Sequence, residues 1–301
     1  MNLVMLCGCG PINTCFINSI ARHHPIRHAF RVVWTDSGQS SSRWSKVARA
    51  PIRAVQKGLR RRFYNRFLAS IESQAVHHLT GKETSPSCNV PSSSVDRLKI
   101  NTEEFARSLR ALEPDVLLIS ACPLLKPEIF EIPRLGTINV HRGIAPTYRG
   151  ERTIFWPLYY QDFEHIGITL HLIDRGIDTG PVLAHGFPEL RPDDTEATIL
   201  AKSVAMAADL MGELLRDAKS GQLHGVRQAG DGRCFYGRDQ RIWKDLSYLF
   251  LRIMRRRSIP SRPSRADLYS NCEQQLLAVG FDDDPDRPHE AAAAYVLNAK
   301  G

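Results

Sequence analysis

The sequence predicts an α/β fold: a mainly parallel sheet with flanking helices, plus a small C-terminal appendage. Three observations carry that prediction. Short apolar runs alternate with segments of helical spacing along most of the chain. One run, "DVLLISA" at 115–121, is apolar without alternation, as a strand covered on both faces must be. The first run, "LVMLCG" at 3–8, passes through glycines into a helical pattern, a strand–turn–helix unit.

Taken in order, the elements follow from local chemistry. After 3–8 a helix is expected from about Pro11 to His23, with proline at a first-turn position where its missing N–H costs nothing. "FRVVWTD" (30–36) reads as a second strand. In "NTEEFARSLRAL" (101–112), Phe105, Leu109 and Leu112 share a helical face behind a capping Asn101 or Thr102. A short helix at 126–131 and a strand at 136–141 come next, then a helix over 151–161 and strands in "HIGITLHLID" (165–174) and "PVLAHGFPEL" (181–190). A long helix runs from Asp194 to about Lys219, capped by Asp194 or Thr195. Together these make a main domain over 1–220.

Three segments break the rhythm. Residues 38–98 are Ser-rich, then basic, then Ser/Pro-rich, and read as an insertion. Residues 221–257 read as a small appendage, a hairpin around "GDGR" and then a helix ending in Arg255, Arg256 and Arg257. Residues 258–301, from "SIPSRPSR" to "EAAAAYVLNAKG", read as a flexible tail.

Composition narrows the function. The 301 residues are 43% hydrophobic and 24% charged, ordinary for a globular protein, and no apolar run reaches membrane-spanning length. Seven cysteines form no C-x-x-C pair, and Cys7, Cys9 and Cys15 lack the spacing of a zinc knuckle. With no basic leader before the first apolar run, reduced thiols in the cytoplasm are expected. The net charge of +8 is concentrated: Arg43 to Arg66 holds nine Lys or Arg and no acid, which points to an anionic partner.

Two constellations are candidate sites. "GCGPIN" (8–13) half resembles the dinucleotide-binding fingerprint, with Asp36 at the end of the second strand, but Asn13 stands where the third glycine belongs. Two glycines at a tight turn are accounted for by sterics alone. The second constellation carries chemistry. Asn139 and His141 lie at i and i+2, on one face of a strand near its carboxyl end, where α/β sheets bind ligands. Asp178 lies in a Gly-flanked loop between two later strands. Amide, imidazole and carboxylate are what acyl transfer to an amine needs: an oxyanion donor, a proton acceptor and a group that orients it. With no serine or cysteine nucleophile beside them, direct attack by the acceptor is favoured.

"LGTINVHRGIAPTYRG" and "GITLHLIDRGIDTGPVL" resemble the paired signatures of the 10-formyltetrahydrofolate-dependent formyltransferases, the family of methionyl-tRNA, glycinamide ribonucleotide and nucleotide-sugar N-formyltransferases. The similarity runs from about Asp115 to Leu215. It implies a Rossmann-like formyltransferase fold and a catalytic trio of Asn139, His141 and Asp178. It also implies a pterin held by Ile119, Ala121, Cys122, Leu124 and Leu125 in one loop and by Asp174, Gly176, Ile177 and Gly180 in the other. Tyr148 and Arg149 would lie on the acceptor side. The expected reaction is formyl transfer from 10-formyltetrahydrofolate to a primary amine. "GIAP" (143–146) replaces the Ser-Leu-Leu-Pro frequent in the family, and "TIFWPLYY" (153–160) resembles the nucleotide-sugar branch, so a nucleotide-linked amino sugar is the expected acceptor. The tRNA enzymes carry a barrel-like C-terminal domain for which 225–257 is too short. The alternatives are another amine or hydroxylamine acceptor (tRNA, a purine precursor, hydroxyornithine), a formyltetrahydrofolate hydrolase, and a non-catalytic anion- or membrane-binding scaffold.

In "SRWSKVARAPIRAVQKGLRRRFYNRF" (42–67) apolar residues recur at helical spacing among the cations. A helix broken near Pro51 and flanking the acceptor crevice is expected. Arg60, Arg61 and Arg62 would meet a substrate diphosphate or acidic lipid. The partner set is thus a phosphate-bearing small-molecule amine, with peripheral membrane contact through 42–67 and a homodimer as further expectations and nucleic acid disfavoured.

Overall fold

The computed structural model describes residues 1–34, 51–82, 86–218, 223, 225–230, 232–240, 242–254, 258–269, 274–277 and 296–298. Asp36, residues 42–50 and Arg255–Arg257 lie outside the described residues.

The apolar runs form the strands of one eight-stranded sheet. Strands β1 (Leu3–Gly8), β2 (Ile26–Val33), β3 (Ser92–Asp96), β4 (Val116–Ser120) and β5 (Gly136–His141) pair in parallel, with β1 between β2 and β4. From β5 outward, β7 (Ile168–Leu172), β8 (Val182–Phe187) and β11 (Arg265–Leu268) continue it antiparallel. β1 and β4 are buried along their whole length, as their unbroken apolar character requires.

Helices cover both faces. On one side α1 (Pro11–His23), α2 (Pro51–Thr80) and α6 (Glu196–Asp217) pack on one another and on the sheet through Phe16, Ile20, Ala75, Val76, Val204 and Met211. On the other, α3 (Glu103–Arg110) and α4 (Pro127–Phe130) bury Phe105, Leu109 and Ile129 against Val4, Leu6 and Leu117. Each of these side chains other than Ala75, fully buried, contributes roughly 1.5–3 kcal/mol. The caps match the sequence: Pro11 opens α1, the Thr102 hydroxyl accepts from the Phe105 N–H, and Thr195 and Thr198 form a reciprocal capping box at α6.

Three boundaries differ from expectation. The insertion at 38–98 is in part core: α2 runs unbroken from Pro51 to Thr80, and β3 is an edge strand of the main sheet. Ala75 and Val76 are buried on α6 and α1 although the residues around them are polar, so the helix is recognised by its partners rather than by its own composition. Among the described residues the strands around "GDGR" do not pair with each other as a hairpin. β9 (Arg227–Ala229) pairs with β12 (Gln274–Leu277), and β10 (Arg233–Phe235) pairs with β6 (Tyr148–Gly150). β12 also pairs with β13 (Val296–Asn298). Helix α7 (Ile242–Met254) follows β10, as expected. Nor is 258–269 a loose tail. β11 extends the sheet, Ile259 is buried, and the Arg262 guanidinium donates to the carbonyls of Phe163, Glu164, Ile166 and Pro188. Among the described residues no helix is long and apolar enough to cross a membrane.

Candidate active site

β5 ends where the sheet changes from parallel to antiparallel, and its last residues face a cavity of about 950 Å³. Asn139 and His141 both line it. Opposite Asn139 in the register stands His171 of β7, and beyond β7 a loop brings Asp178 back over the strand end.

Asp178 joins these groups. Its Oδ1 accepts from Asn139 Nδ2 at 2.9 Å and lies 3.4 Å from His171 Nε2. Its Oδ2 lies 3.2 Å from His141 Nδ1 and accepts from the Gly150 backbone N–H at 2.8 Å. The loop is pinned locally. Asp174 Oδ1 accepts from the Gly176 N–H and the Thr179 hydroxyl, while Gln228 Nε2 donates to the carbonyls of Asp178 and Gly180. Asp178 itself is left-handed, with φ +51°. Although burial pushes its carboxyl up, the His141 and His171 rings and the Gly150 N–H together hold it well below the usual carboxylate range.

The His141 ring is enclosed. Its Nε2 is 2.7 Å from the Tyr148 carbonyl oxygen, so both ring nitrogens face hydrogen-bond acceptors. Burial nevertheless lowers the imidazole pKa below its ordinary value against the opposing pull of Asp178. The neutral ring carries one hydrogen for two acceptors, so one ring nitrogen faces an oxygen without a hydrogen of its own. Gly143 makes room for this ring: a Cβ there would sit 2.8 Å from His141 Nε2 and 2.6 Å from the Thr153 Cβ.

The residues predicted to hold a pterin fall on the cavity wall with one exception. Ile119, Ala121, Cys122, Leu124 and Leu125 form one side, and Asp174, Gly176 and Ile177 the other. Gly180 does not line the cavity; it lies directly on the β7 backbone, where a Cβ would collide with the Leu172 carbonyl. Tyr148 and Arg149 are displaced from their predicted acceptor role. The Tyr148 ring is fully buried, stacked 5.9 Å from Phe235 with its hydroxyl on Asp162, because β6 turns it into an aromatic cluster. Arg149 donates to the Gly232 carbonyl, and neither residue is on the cavity wall.

Several wall residues escaped the sequence reading. His171 stands inside the quoted second motif and shows itself only once the β5–β7 register is known. Arg142, whose Nη2 donates to Asn13 Oδ1 at 3.0 Å, and Glu72, Leu68 and Ile71 of α2 close one side. Arg152 closes another. Its guanidinium forks onto both Glu196 oxygens at 3.1 and 2.8 Å, and its Nη1 donates to the Tyr64 hydroxyl and to Asp245. These partners lie far apart in sequence, and no local pattern announces them.

Residues 68–214 match the formyl transferase family. A methionyl-tRNA formyltransferase from Myxococcus xanthus is 36% identical over 135 residues, covering 44% of this chain and 43% of that protein. One from Thermodesulfovibrio yellowstonii is 30% identical over 151 residues, 50% of this chain and 48% of that protein. The chain therefore matches just under half the length of these relatives. The fold is that of a solved Mycobacterium tuberculosis protein assigned as a sugar N-formyltransferase, with a TM-score of 0.50 at 14% identity over 79% of this chain and 77% of that one. The matched segment is similar to formyl transferase domains, a family that uses 10-formyltetrahydrofolate as its one-carbon donor.

Proposed function

We propose that this protein transfers the formyl group of 10-formyltetrahydrofolate to a primary amine, and that the amine belongs to a nucleotide-linked amino sugar. The observation that carries the reaction is the single carboxylate of Asp178 bonded to Asn139 and in contact with His141 and His171 at the cavity wall. The cavity fits the donor: Ile119, Leu125, Ile173 and Ile177 supply apolar faces for a flat ring, and the backbone between them supplies polar edges. When bound, the donor supplies a formyl carbon open to attack by the amine.

Each residue then has one task. His141, which burial favours as the neutral ring, receives the proton of the attacking amine. It returns that proton to the donor nitrogen as the bond from that nitrogen to the formyl carbon breaks and tetrahydrofolate departs, with Asp178 stabilising the imidazolium in between. Asn139 Nδ2 is engaged by Asp178 Oδ1 and lies 3.1 Å from His171 Nε2. It donates to the developing oxyanion by exchanging the His171 contact. The acceptor enters between Glu72, Arg142, Arg152 and Tyr236, beside the same wall.

The sugar acceptor is supported by the resemblance in 143–160, and methionyl-tRNA is the second reading because of the identity to those relatives. Purified protein with 10-formyltetrahydrofolate should formylate a nucleotide-linked amino sugar and leave methionyl-tRNA unmodified. The reverse outcome overturns the acceptor and keeps the reaction. Formate release without any amine overturns the transfer itself in favour of hydrolysis.

A further inference from the structure

Among the described residues three guanidiniums stand on the cavity wall, those of Arg142, Arg152 and Arg175. Arg175 is exposed, on the loop that carries Asp178. Arg152 is already paired with Glu196 and Asp245. Arg142 differs from both. It is half-buried, and its hydrogen bond among the described residues is the one from Nη2 to Asn13 Oδ1 at 3.0 Å. Glu72 of α2 faces it across the wall without reaching ion-pair distance. Burial lowers the pKa of the guanidinium, and Glu72 offsets that only in part. A cation withdrawn from water and left without a bonded carboxylate calls for an anion.

The turn after β1 aims this cation. Asn13, standing where the dinucleotide fingerprint has its third glycine, is 5% exposed in the first turn of α1, and the Ser120 hydroxyl lies 3.5 Å from the same Oδ1. Gly8 leaves space for its amide: a Cβ there would stand 2.9 Å from Asn13 Nδ2. The Asn13 bond fixes one nitrogen of the fork and leaves the other donors for a ligand. A guanidinium fork matches phosphate oxygens two at a time.

Its place discriminates among acceptors. Arg142 follows His141 directly, so an anion held there lies close to the reacting amine. In a nucleotide-linked amino sugar, one ring carries both the amine and a phosphate. In methionyl-tRNA, an amino-acid ester and a ribose separate the amine from the nearest phosphate. We propose that Arg142 binds the phosphate attached to the amino-sugar ring of the acceptor, an assignment that rests on the formyl-transfer reading of this site.

Isothermal titration with UDP and with inorganic pyrophosphate tests it. The wild-type protein should bind both. Arg142→Met should weaken both more than tenfold, with the thermal midpoint and the affinity for 5-formyltetrahydrofolate unchanged. Arg142→Lys, which keeps a point charge without the fork, should recover part of the binding. Glu72→Gln removes the acid facing the guanidinium and should tighten both ligands severalfold, a direction that a purely structural contact would not give. Equal binding of UDP by the wild type and Arg142→Met, or weaker binding by Glu72→Gln, overturns the proposal. So does a wild-type protein that binds neither phosphate ligand, and binding of ornithine in their place would make a carboxylate the anion. If UDP binds as expected and 5-formyltetrahydrofolate does not, the transfer reading falls and the anion site stands.

Discussion

Asp178 holds a left-handed backbone conformation that costs a non-glycine residue on the order of 1–3 kcal/mol, and its bonds to Asn139 and the Gly150 N–H hold it there. Replacing it by Asn keeps the shape and removes the charge. His141→Ala and Asp178→Asn should each lower kcat by about a hundredfold or more, while circular dichroism stays native. The pH profile follows from the lowered pKa of His141. The base works when neutral, so the acidic limb of kcat/KM should lie below pH 6.5, activity being present above it and lost as pH falls through the folded-state value. Removing Asp178, which opposes that lowering, should move the limb of the residual activity further toward acid. A limb above 6.5 would show that His141 is not the group titrating. Gly143→Ala should impair turnover with little change of fold, because the added methyl meets His141 and Thr153. At this scale the sequence was informative about Asn139 and His141, since alternation along one strand puts them on one face. It was silent about His171, whose place depends on a register between strands. It misdirected for Tyr148, where an aromatic after a proline loop reads equally as ligand contact or core.

Elements meet at Arg152. One guanidinium, with its side chain 8% exposed, joins Tyr64 of α2, Glu196 at the start of α6 and Asp245 of α7. Burial raises the pKa of Glu196 and of Asp245, and Arg152 is what opposes that rise. Arg152→Met should therefore leave two buried carboxylates unpaired and destabilise the fold by about 3–5 kcal/mol at neutral pH in urea melts. Adding Glu196→Gln and Asp245→Asn should recover part of that loss, because the uncompensated charges are then gone. A single variant as stable as the wild type would mean that the node contributes nothing. The helices themselves were readable from caps and spacing: α1, α3 and α6 begin at the proline or threonine that predicted them. α2 was readable only in part, because its C-terminal half buries Ala75 and Val76 among polar neighbours and carries no strong stripe. The missed pairing of β9 and β10 has a similar cause. A Gly-Asp-Gly between short strands favours a hairpin locally, but each strand has a longer-range partner already in place, β12 and β6.

Over the whole molecule, β1, β2, β4 and β5 of the parallel half were legible because they sit in local strand–helix alternation. Edge strand β3, reached through the basic and Ser-rich insertion, was not. The antiparallel extension through β11 depends on residues that look dispensable. "SIPSRPSR" has the composition of a linker. The half-buried guanidinium of Arg262 decides otherwise. Arg262 reaches four carbonyls at 2.7 to 3.2 Å, from the turn before β7 and the end of β8, and its backbone exchanges two hydrogen bonds with Leu190. Burial lowers its pKa to about 10, which still leaves it charged at neutral pH. Arg262 thus ties the turn before β7 to the end of β8 and closes the sheet against the segment leading to α6. Arg262→Met keeps most of the volume and removes every donor. It should cost about 1–3 kcal/mol in denaturant melts, since partly buried carbonyls then lose a charged donor. Amide exchange should speed up most in β11 and in the turn at 163–167, and least in β1 and β4 on the far side of β5. A uniform increase in exchange would mean that the C-terminal strand and the parallel core unfold as one unit, while no increase at all would return 258–269 to the status of a linker.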